Sequence, residues 1–529
     1  MTRTIFDAED RFDIGATDFA ISPAERASEG EVETPLFANS AVTFAHAISA
    51  SGTTAAGGQL PTYSNAQIAD YLRVGYWEDI GDTPHHFNMG STGLGANSGV
   101  LRYNVAGLNT AGIALAERAL TLYGEVLGID FQRTGSTGSS VDIFFENTDK
   151  NQAYSWANFY TSTGAITSAH VNVGSGWISK YGTETSSYSF QTFLHEIGHA
   201  LGLGHAGDYD GSATYVSRTS DPDYGDDSNF YVNDSWQTSV MSYFSQDDNT
   251  TVTADKAGLL SPMVADWMAL AKIYGHVGGF TGDTTWGFNT NIGTTVFANL
   301  ARYADDMAFT IIDGGGRDTV DFSGFSADQR IDLNAQKYSS VGGLSGNMSI
   351  ASGTVIENAT GGAGADTLLG NSVANVLRGL DGADKILGNS GADTLRGGAG
   401  ADTLTGGKGA DVLIGGAGSD VFRLTSITES STSAPDALRA GDGGAPFDGP
   451  GSASGDRIDL SAIDAHTSLS GNQAFQFGGT AQGHLWLTTD GADTVVKGNV
   501  DAERGSDFQL VIEDGTTLAS AYTASDFFL

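Results

Sequence analysis

The sequence predicts an α+β unit followed by an all-β roll of parallel strands. Three observations carry this. A histidine-rich helix-to-turn pattern sits among mixed helical and strand-like segments, the texture of the chain changes near residue 285, and seven nine-residue repeats run without a gap from Gly361 to Arg423.

A chain of 529 residues calls for two or three folded units, and 40% hydrophobic content is enough for real cores. The 73 glycines against 9 prolines point to tight turns concentrated in one region. A net charge of −38 disfavours nucleic acid and anionic membrane as partners, and leaves solubility or cation-holding aspartates as its explanation. With no cysteine, a disulfide framework and thiolate chemistry are both excluded. The first dozen residues, MTRTIFDAEDRF, carry charge and lack the apolar run of a common signal peptide, and no stretch of about 18 apolar residues exists to span a membrane.

Residues 1–60 are polar, alanine-rich and weakly periodic, and are expected to be a pro-segment or a flexible tail. Order is expected from Ser64, which has capping-box spacing to Gln67 and precedes an amphipathic run through Ile68, Leu72, Tyr76 and Trp77. Thr110 opens a second helical run through Leu115, Leu120 and Leu127. Val141–Phe145 and Ala165–Val173 read as strands, 188–201 and Pro262–Tyr274 as helices. The expected α+β unit therefore covers 61–284, and the all-β unit 285–529.

Residues 195–205 read HEIGHALGLGH, matching H-E-x-x-H-x-x-G-x-x-H. On a helix His195 and His199 lie about 40° apart around the axis, one turn apart, so both can reach one metal. His205 would point about 240° away if the helix continued. Gly202 can take the left-handed conformation that stops a helix, letting the chain double back and present His205 as third ligand. Three protein ligands leave zinc an open position, the arrangement of catalysis rather than of a structural site. Glu196, beside the first ligand, is the expected general base toward a water there, and afterwards the donor to a leaving amine. A histidine cluster with no metal is a poor competitor for so specific a pattern.

Downstream, residues 239–243 read SVMSY. With the histidine motif, this resembles the metzincin clan of zinc metallopeptidases, and the serralysin family within it. The resemblance implies a zincin-like catalytic domain at 61–284, with Met241 in a tight turn beneath the zinc histidines. It also implies that Tyr243 is a further zinc ligand that leaves the metal when substrate binds and stabilises the tetrahedral oxyanion. Ala206 stands where the family commonly has proline, and Phe244 where tryptophan often follows. Ala165–Val173 corresponds to the edge strand along which extended substrate pairs, with His170 at the cleft rim.

The repeats follow G-G-x-G-x-D-x-U-x, the RTX pattern of calcium-binding β-rolls. Leu368, Leu377, Ile386, Leu395, Leu404, Leu413 and Phe422 occupy the apolar eighth position and should stack into a narrow core. Asp366, Asp384, Asp393, Asp402, Asp411 and Asp420 supply carboxylates at the sixth. Calcium takes six to eight oxygens, more than one turn provides, so turns two units apart are expected to share an ion. The expected oxygen donors, side chain or backbone, also include Gly361, Ala363, Asp381, Asn389, Gly391, Gly397, Ala399, Gly406, Lys408, Gly415 and Ala417. The second unit, with Asn375 for aspartate and Val373 for glycine, should weaken its sites. A partial copy, GGGRDTVDFSG from Gly314, suggests an ion near Asp318 and Asp321. Folding of this unit is expected to depend on calcium.

Alternating segments at Phe475–Phe477 and His484–Thr488 read as a β-sandwich-like cap. The ending SDFFL resembles the uncleaved C-terminal signal of proteins exported by a type I secretion transporter. The resemblance as a whole implies a secreted, monomeric zinc endopeptidase (one zinc, several calcium ions) acting on protein or peptide substrates, with a small protein inhibitor as a further partner. A non-enzymatic repeat-containing binding protein is the alternative, disfavoured by the intact His195, Glu196, His199, His205 and Tyr243 set.

Overall fold

A computed structural model describes residues 58–88 and 99–529, apart from 210–212, 222, 226, 276, 277, 294, 453, 504 and 516. The pro-segment or tail expected at 1–60 lies almost wholly outside the described residues. The chain divides into two compact units, one through Val277 and one from Gly278 to Leu529.

In the first unit, helix α1 (Asn65–Asp70) opens on a capping box between Ser64 and Gln67, then runs through a π-helical turn (Tyr71–Gly75) into a last α segment (Tyr76–Asp79). Ile68, Leu72, Tyr76 and Trp77 are all buried, as their spacing predicts. Helix α2 (Thr110–Leu127) is capped by the Asn109 side chain and ends at Gly128 in the left-handed region. Helices α3 (Ser175–Tyr181), α4 (Tyr188–Ala200) and α5 (Val264–Tyr274) complete the helical layer.

The sheet is built from β1 (His86–Phe87), β2 (Val100–Asn104), β3 (Asp130–Arg133), β4 (Ile143–Glu146), β5 (Ala153–Tyr160) and β6 (Ala165–Val173). Its order is β1-β6-β4-β2-β3, all parallel, with β5 pairing antiparallel along the other side of β6. This corrects the reading of Ala165–Val173 as the edge. β6 is flanked on both sides, and the edge is β5, which pairs with β6 alone. Helix α4 packs under β5 and β6, so the free edge lies beside the histidine helix.

The second unit is a roll of parallel strands whose ladders repeat at 18 residues. Leu368 pairs with Ile386, Ile386 with Leu404, and Leu404 with Phe422. On the facing ladder Leu377 pairs with Leu395, and Leu395 with Leu413. Two nonapeptides thus make one coil, and all seven eighth-position side chains are fully buried. Each such burial stabilises by about 1.5–3 kcal/mol. Both ladders run on past the repeats, through Asp436–Leu438 and Arg457–Asp459. The C-terminal segments form no separate sandwich. His484–Asp490, Asp493–Asn499 and Phe508–Ile512 are an antiparallel meander that extends one ladder, and Phe527–Phe528 closes the other. Backbone pairing to an existing sheet edge satisfies their polar groups without a second layer.

Candidate active site

Helix α4 starts at Ser187, whose hydroxyl accepts from the Phe190 N–H, and is buried from Ser189 to its end. It stops because Gly202 takes φ +100°, and a Cβ there would collide with the His85 carbonyl. The turn satisfies the helix's last carbonyls: Leu203 N–H donates to Gly198 O (3.0 Å) and Gly202 N–H to His199 O (2.8 Å). The Trp77 indole N–H holds Gly202 O at 3.1 Å, and Gly204 N–H reaches Leu72 O at 2.7 Å. The chain then doubles back and presents His205.

His195, His199 and His205 converge. The Nε2 atom of His199 lies 3.1 Å from that of His195 and 3.1 Å from that of His205. Among the described residues they are the group of three or more metal-ligating side chains, each with one ligand atom within 4.8 Å of the others. The Tyr243 hydroxyl lies 3.1 Å from His205 Nε2. Around a tetrahedral zinc with bonds of about 2.0–2.1 Å, ligand atoms are separated by about 3.3 Å, so the donor set fits that ion.

The protonation states fit as well. His195 Nδ1 faces the Val240 carbonyl at 2.8 Å and His199 Nδ1 the Leu203 carbonyl at 2.8 Å. A carbonyl can only accept, so each Nδ1 carries the proton and each Nε2 keeps its lone pair. Burial, with the neighbouring imidazole second, holds His195 well below the ordinary histidine range. Burial pulls His199 down to about 4, against the raising effect of its bond to Leu203. His205 is likewise held well below by burial, then by its two neighbours. All three imidazoles are neutral at neutral pH, the form a metal ligand needs. Glu196 is buried with them, 1% exposed.

Met241 is fully buried beneath the helix. A Cβ at Gly198 would stand 2.8 Å from its sulfur, which is why the position between the two helical histidines is glycine. The turn that carries it is pinned by Asp266 of α5, which the sequence reading missed. Its carboxylate accepts from Ser239 Oγ (2.6 Å), Val240 N–H (2.7 Å) and Met263 N–H (2.7 Å), and burial pushes it up to about 6. The signal available was a lone acidic residue in an otherwise apolar run, PMVADWMAL. Phe244 packs edge-on against Tyr209 and Tyr215 at 5.5 Å. Beside His195 a pocket lined by Tyr188, Gln191, Thr192, Trp236 and Tyr243 has about 10 Å³ of free space, room for one water.

His170 is not at the cleft rim. It stacks between Trp156 (3.8 Å) and Phe144 (4.8 Å), and its Nδ1 lies 2.7 Å from Glu146 Oε1. Phe145, next along β4, points the opposite way and meets Phe193 of α4. The alternation of strand side chains therefore puts His170 on the sheet face away from the histidine helix.

In the roll, the repeat aspartates align in two rows, with one residue of each row per coil. The N–H of Asp366 donates to Asp384 Oδ1, that of Asp384 to Asp402, that of Asn375 to Asp393 and that of Asp393 to Asp411, all at 2.8 Å. The N–H of Asp402 reaches Asp420 Oδ1 at 3.0 Å. Their other oxygens, Oδ2 of Asp384, Asp393, Asp402, Asp411 and Asp420, are buried with no hydrogen-bond partner. Such orphaned acceptors are what a cation site requires. A Cβ at Gly397 would strike both Asp402 Oδ2 and the Gly415 carbonyl oxygen, so the repeat glycine is dictated by close approach. Gly406 and Gly415 crowd Asp411 and Asp420 in the same way, and Gly361 crowds Asp366.

The remaining expected donors lie in the turns or, for Asp381, Ala399 and Ala417, at the ends of strands. Gly391 N–H bonds Lys408 O (2.9 Å), Lys408 N–H bonds Asn389 O (2.7 Å), and Gly382 N–H bonds Ala399 O (2.9 Å); Ala399 in turn pairs with Ala417. Asp381 is exposed, and the Ala363 N–H bonds Phe325 O at 2.9 Å. Asp366, at the upstream end, accepts N–H bonds on both oxygens, from Gln329 (2.7 Å) and Gly362 (2.5 Å). Asn375 uses its side-chain amide for bonds to Asn371 and Glu357. Burial pushes Asp384 and Asp393 up to about 7, and Asp402 and Asp420 up to about 6, with neighbouring aspartates adding to the rise at Asp384, Asp393 and Asp420.

Four further positions, Asp321, Asp313, Asp436 and Asp456, differ from or extend the expectation. Asp321 is occupied by Asn289 and Ser323; the carboxyl beside Asp318, whose Oδ2 is orphaned, is Asp313. Past the repeats, Asp436 and Asp456 continue the pattern, accepting from the N–H of Asp411 (3.0 Å) and Asp420 (2.8 Å). Insertions hide them from a fixed period.

The family description Matrixin matches residues 102–239, and Peptidase M10 serralysin C terminal matches 277–527. The metallopeptidase AprA of Pseudomonas marginalis is 45% identical over 197 residues, 36% of this chain and 39% of that protein. The serralysin of Photorhabdus laumondii is 36% identical over 267 residues, 50% of this chain and 54% of that protein. The matches thus span from about two fifths to about half the length of these relatives. Among solved structures, the AlgE6R2 subunit of the Azotobacter vinelandii mannuronan C5-epimerase is 27% identical, covering 31% of this chain and 92% of that one at a TM-score of 0.23. With a matrixin-type unit bearing the histidine turn and a serralysin-type roll behind it, this chain belongs to the serralysin family.

Proposed function

We propose that this chain is a secreted zinc-dependent endopeptidase that hydrolyses peptide bonds of extended protein substrates and is stabilised by calcium in its roll. The observation that carries the reading is the convergence of three buried imidazoles, with Nε2 unprotonated at His195 and His199, and with the Tyr243 hydroxyl at the same point.

His195, His199 and His205 hold the zinc, with Tyr243 as an additional ligand and Met241 as the floor. Zinc, when bound, supplies Lewis acidity, lowering the pKa of water to about 7 and polarising the scissile carbonyl. Glu196 accepts the proton of the attacking water and passes it to the leaving nitrogen. The Tyr243 phenol donates to the oxyanion as the carbonyl carbon becomes tetrahedral. An extended substrate adds as a strand along the free edge of β5, which explains a preference for unfolded or loosely folded chains.

In the roll, the orphaned Oδ2 atoms and the turn carbonyls bind calcium, with the weakest sites where Asn375 replaces aspartate. Asp526–Leu529 is the export signal read by a type I transporter, 1–60 a removable pro-segment, and the active form a monomer open to a small protein inhibitor. Among the described residues no helix is long and apolar enough to cross a membrane. The test is casein hydrolysis by the purified chain with and without a chelator, beside Glu196→Gln. Loss of activity in both supports the mechanism, and equal activity of the variant contradicts it.

A further inference from the structure

Tyr209 and Asp234 are used by none of the steps above, yet both are buried beside them, 2% and 0% exposed. The Tyr209 hydroxyl donates to the Asp234 carboxylate, 3.2 Å to Oδ1 and 3.1 Å to Oδ2, and the Ser242 side chain joins the same hydrogen-bonded group. The Tyr209 ring lies 4.7 Å from the Tyr243 ring and 5.8 Å from the His205 ring. The loop that carries Asp234 is stitched to both neighbours. Trp236 N–H donates to Phe244 O and the Trp236 indole N–H to Ser242 O, both at 2.8 Å, while the Tyr231 hydroxyl donates to Ala206 O at 2.8 Å.

An aromatic ring normally yields when its neighbour moves, because its contacts are weak and non-directional. Tyr209 is denied that freedom. Its hydroxyl is tied to a fully buried carboxylate, and breaking that bond would cost a charge-assisted hydrogen bond in the interior. The ring is therefore a fixed wall against which the Tyr243 ring rests.

We propose that Tyr209, anchored by Asp234, is a positioning residue that holds the Tyr243 phenol against His205 and sets how readily it swings away during turnover. This rests on the reading of Tyr243 as a departing ligand. The test uses the full chain loaded with copper(II) in place of zinc, where a phenolate-to-copper charge-transfer absorption reports the bound phenol. Tyr209→Phe keeps the ring and removes the anchor; Asp234→Asn keeps the shape and changes the acceptor.

Both variants are expected to bind one copper per chain with a weakened or shifted band. Their zinc forms should lose about tenfold in kcat with KM nearly unchanged. A band lost in Tyr243→Phe but identical to the parent in both other variants, with unchanged kcat, overturns the positioning role alone. A band that survives Tyr243→Phe overturns the ligand reading, and the positioning role with it.

Discussion

In the N-terminal unit the donors stand four and six residues apart and converge on one point. In the roll they recur every 18 residues and spread along a stack. The two regions also differ in charge. The imidazoles are neutral, fixed by backbone carbonyls inside a well-filled core, so nothing repels when an ion is absent. The roll carboxylates are buried side by side, and burial and mutual repulsion push several of them up to about 6 or 7. On the function proposed above, a cation in the first region is expected to create function on a fold that stands without it, and in the second to complete the fold itself.

The largest effect should come from calcium removal. A calcium chelator too weak to strip zinc is expected to abolish the parallel-strand signal of residues 278–529 while the helical signal and the bound zinc persist, as read by circular dichroism and elemental analysis. A roll that stays folded would erase the contrast. Next, Glu196→Gln should lower kcat/KM by about 10³-fold or more with zinc retained and the melting profile unchanged, since it removes a proton acceptor and no packing.

The contrast also explains what could be read along the chain and what could not. The ligand turn was legible because its logic is local: two histidines one turn apart, a glycine that stops the helix, a third histidine beyond it. The coil was legible because its period is unbroken over seven units. Asp266, Asp234 and Tyr209 were not, because a buried acid is recognised only by what folds around it. Strand order was hidden for the same reason. The apolar content of Ala165–Val173 marks a strand but does not say that Ala153–Tyr160 will cover its free side. Asp436 and Asp456 escaped because insertions break the 18-residue spacing that their backbone ladder keeps, and Asp313 because its partnership with Asp318 spans a turn outside the repeat.

A smaller effect is expected from Leu395→Ala in the calcium-loaded chain. Its side chain is fully buried between Leu377 and Leu413, and truncation should cost about 2–5 kcal/mol of roll stability, measured by denaturant unfolding. A cost below about 1 kcal/mol would mean that calcium alone holds the coil.

The smallest effect is a dependence on pH that changes sign with calcium. Burial raises the folded-state pKa of Asp384 and Asp393 to about 7, and of Asp402 and Asp420 to about 6. An unfolded aspartate titrates near 3.9, so the ion-free roll binds extra protons between these values. Its stability is present at low pH and lost as pH rises through about 6–7. The chelated roll should therefore regain strand signal at pH 5 relative to pH 8, while the calcium-loaded roll resists denaturant better at pH 8 than at pH 5. Equal behaviour in both would show that the carboxylates are not what the ion replaces.

The most direct test of the imidazole centre is elemental analysis of the purified chain beside His199→Ala. About one zinc per chain in the parent and in Glu196→Gln, with none in His199→Ala, is the predicted result. A parent that hydrolyses casein without zinc, or a His199→Ala variant that keeps the full complement, would contradict the account.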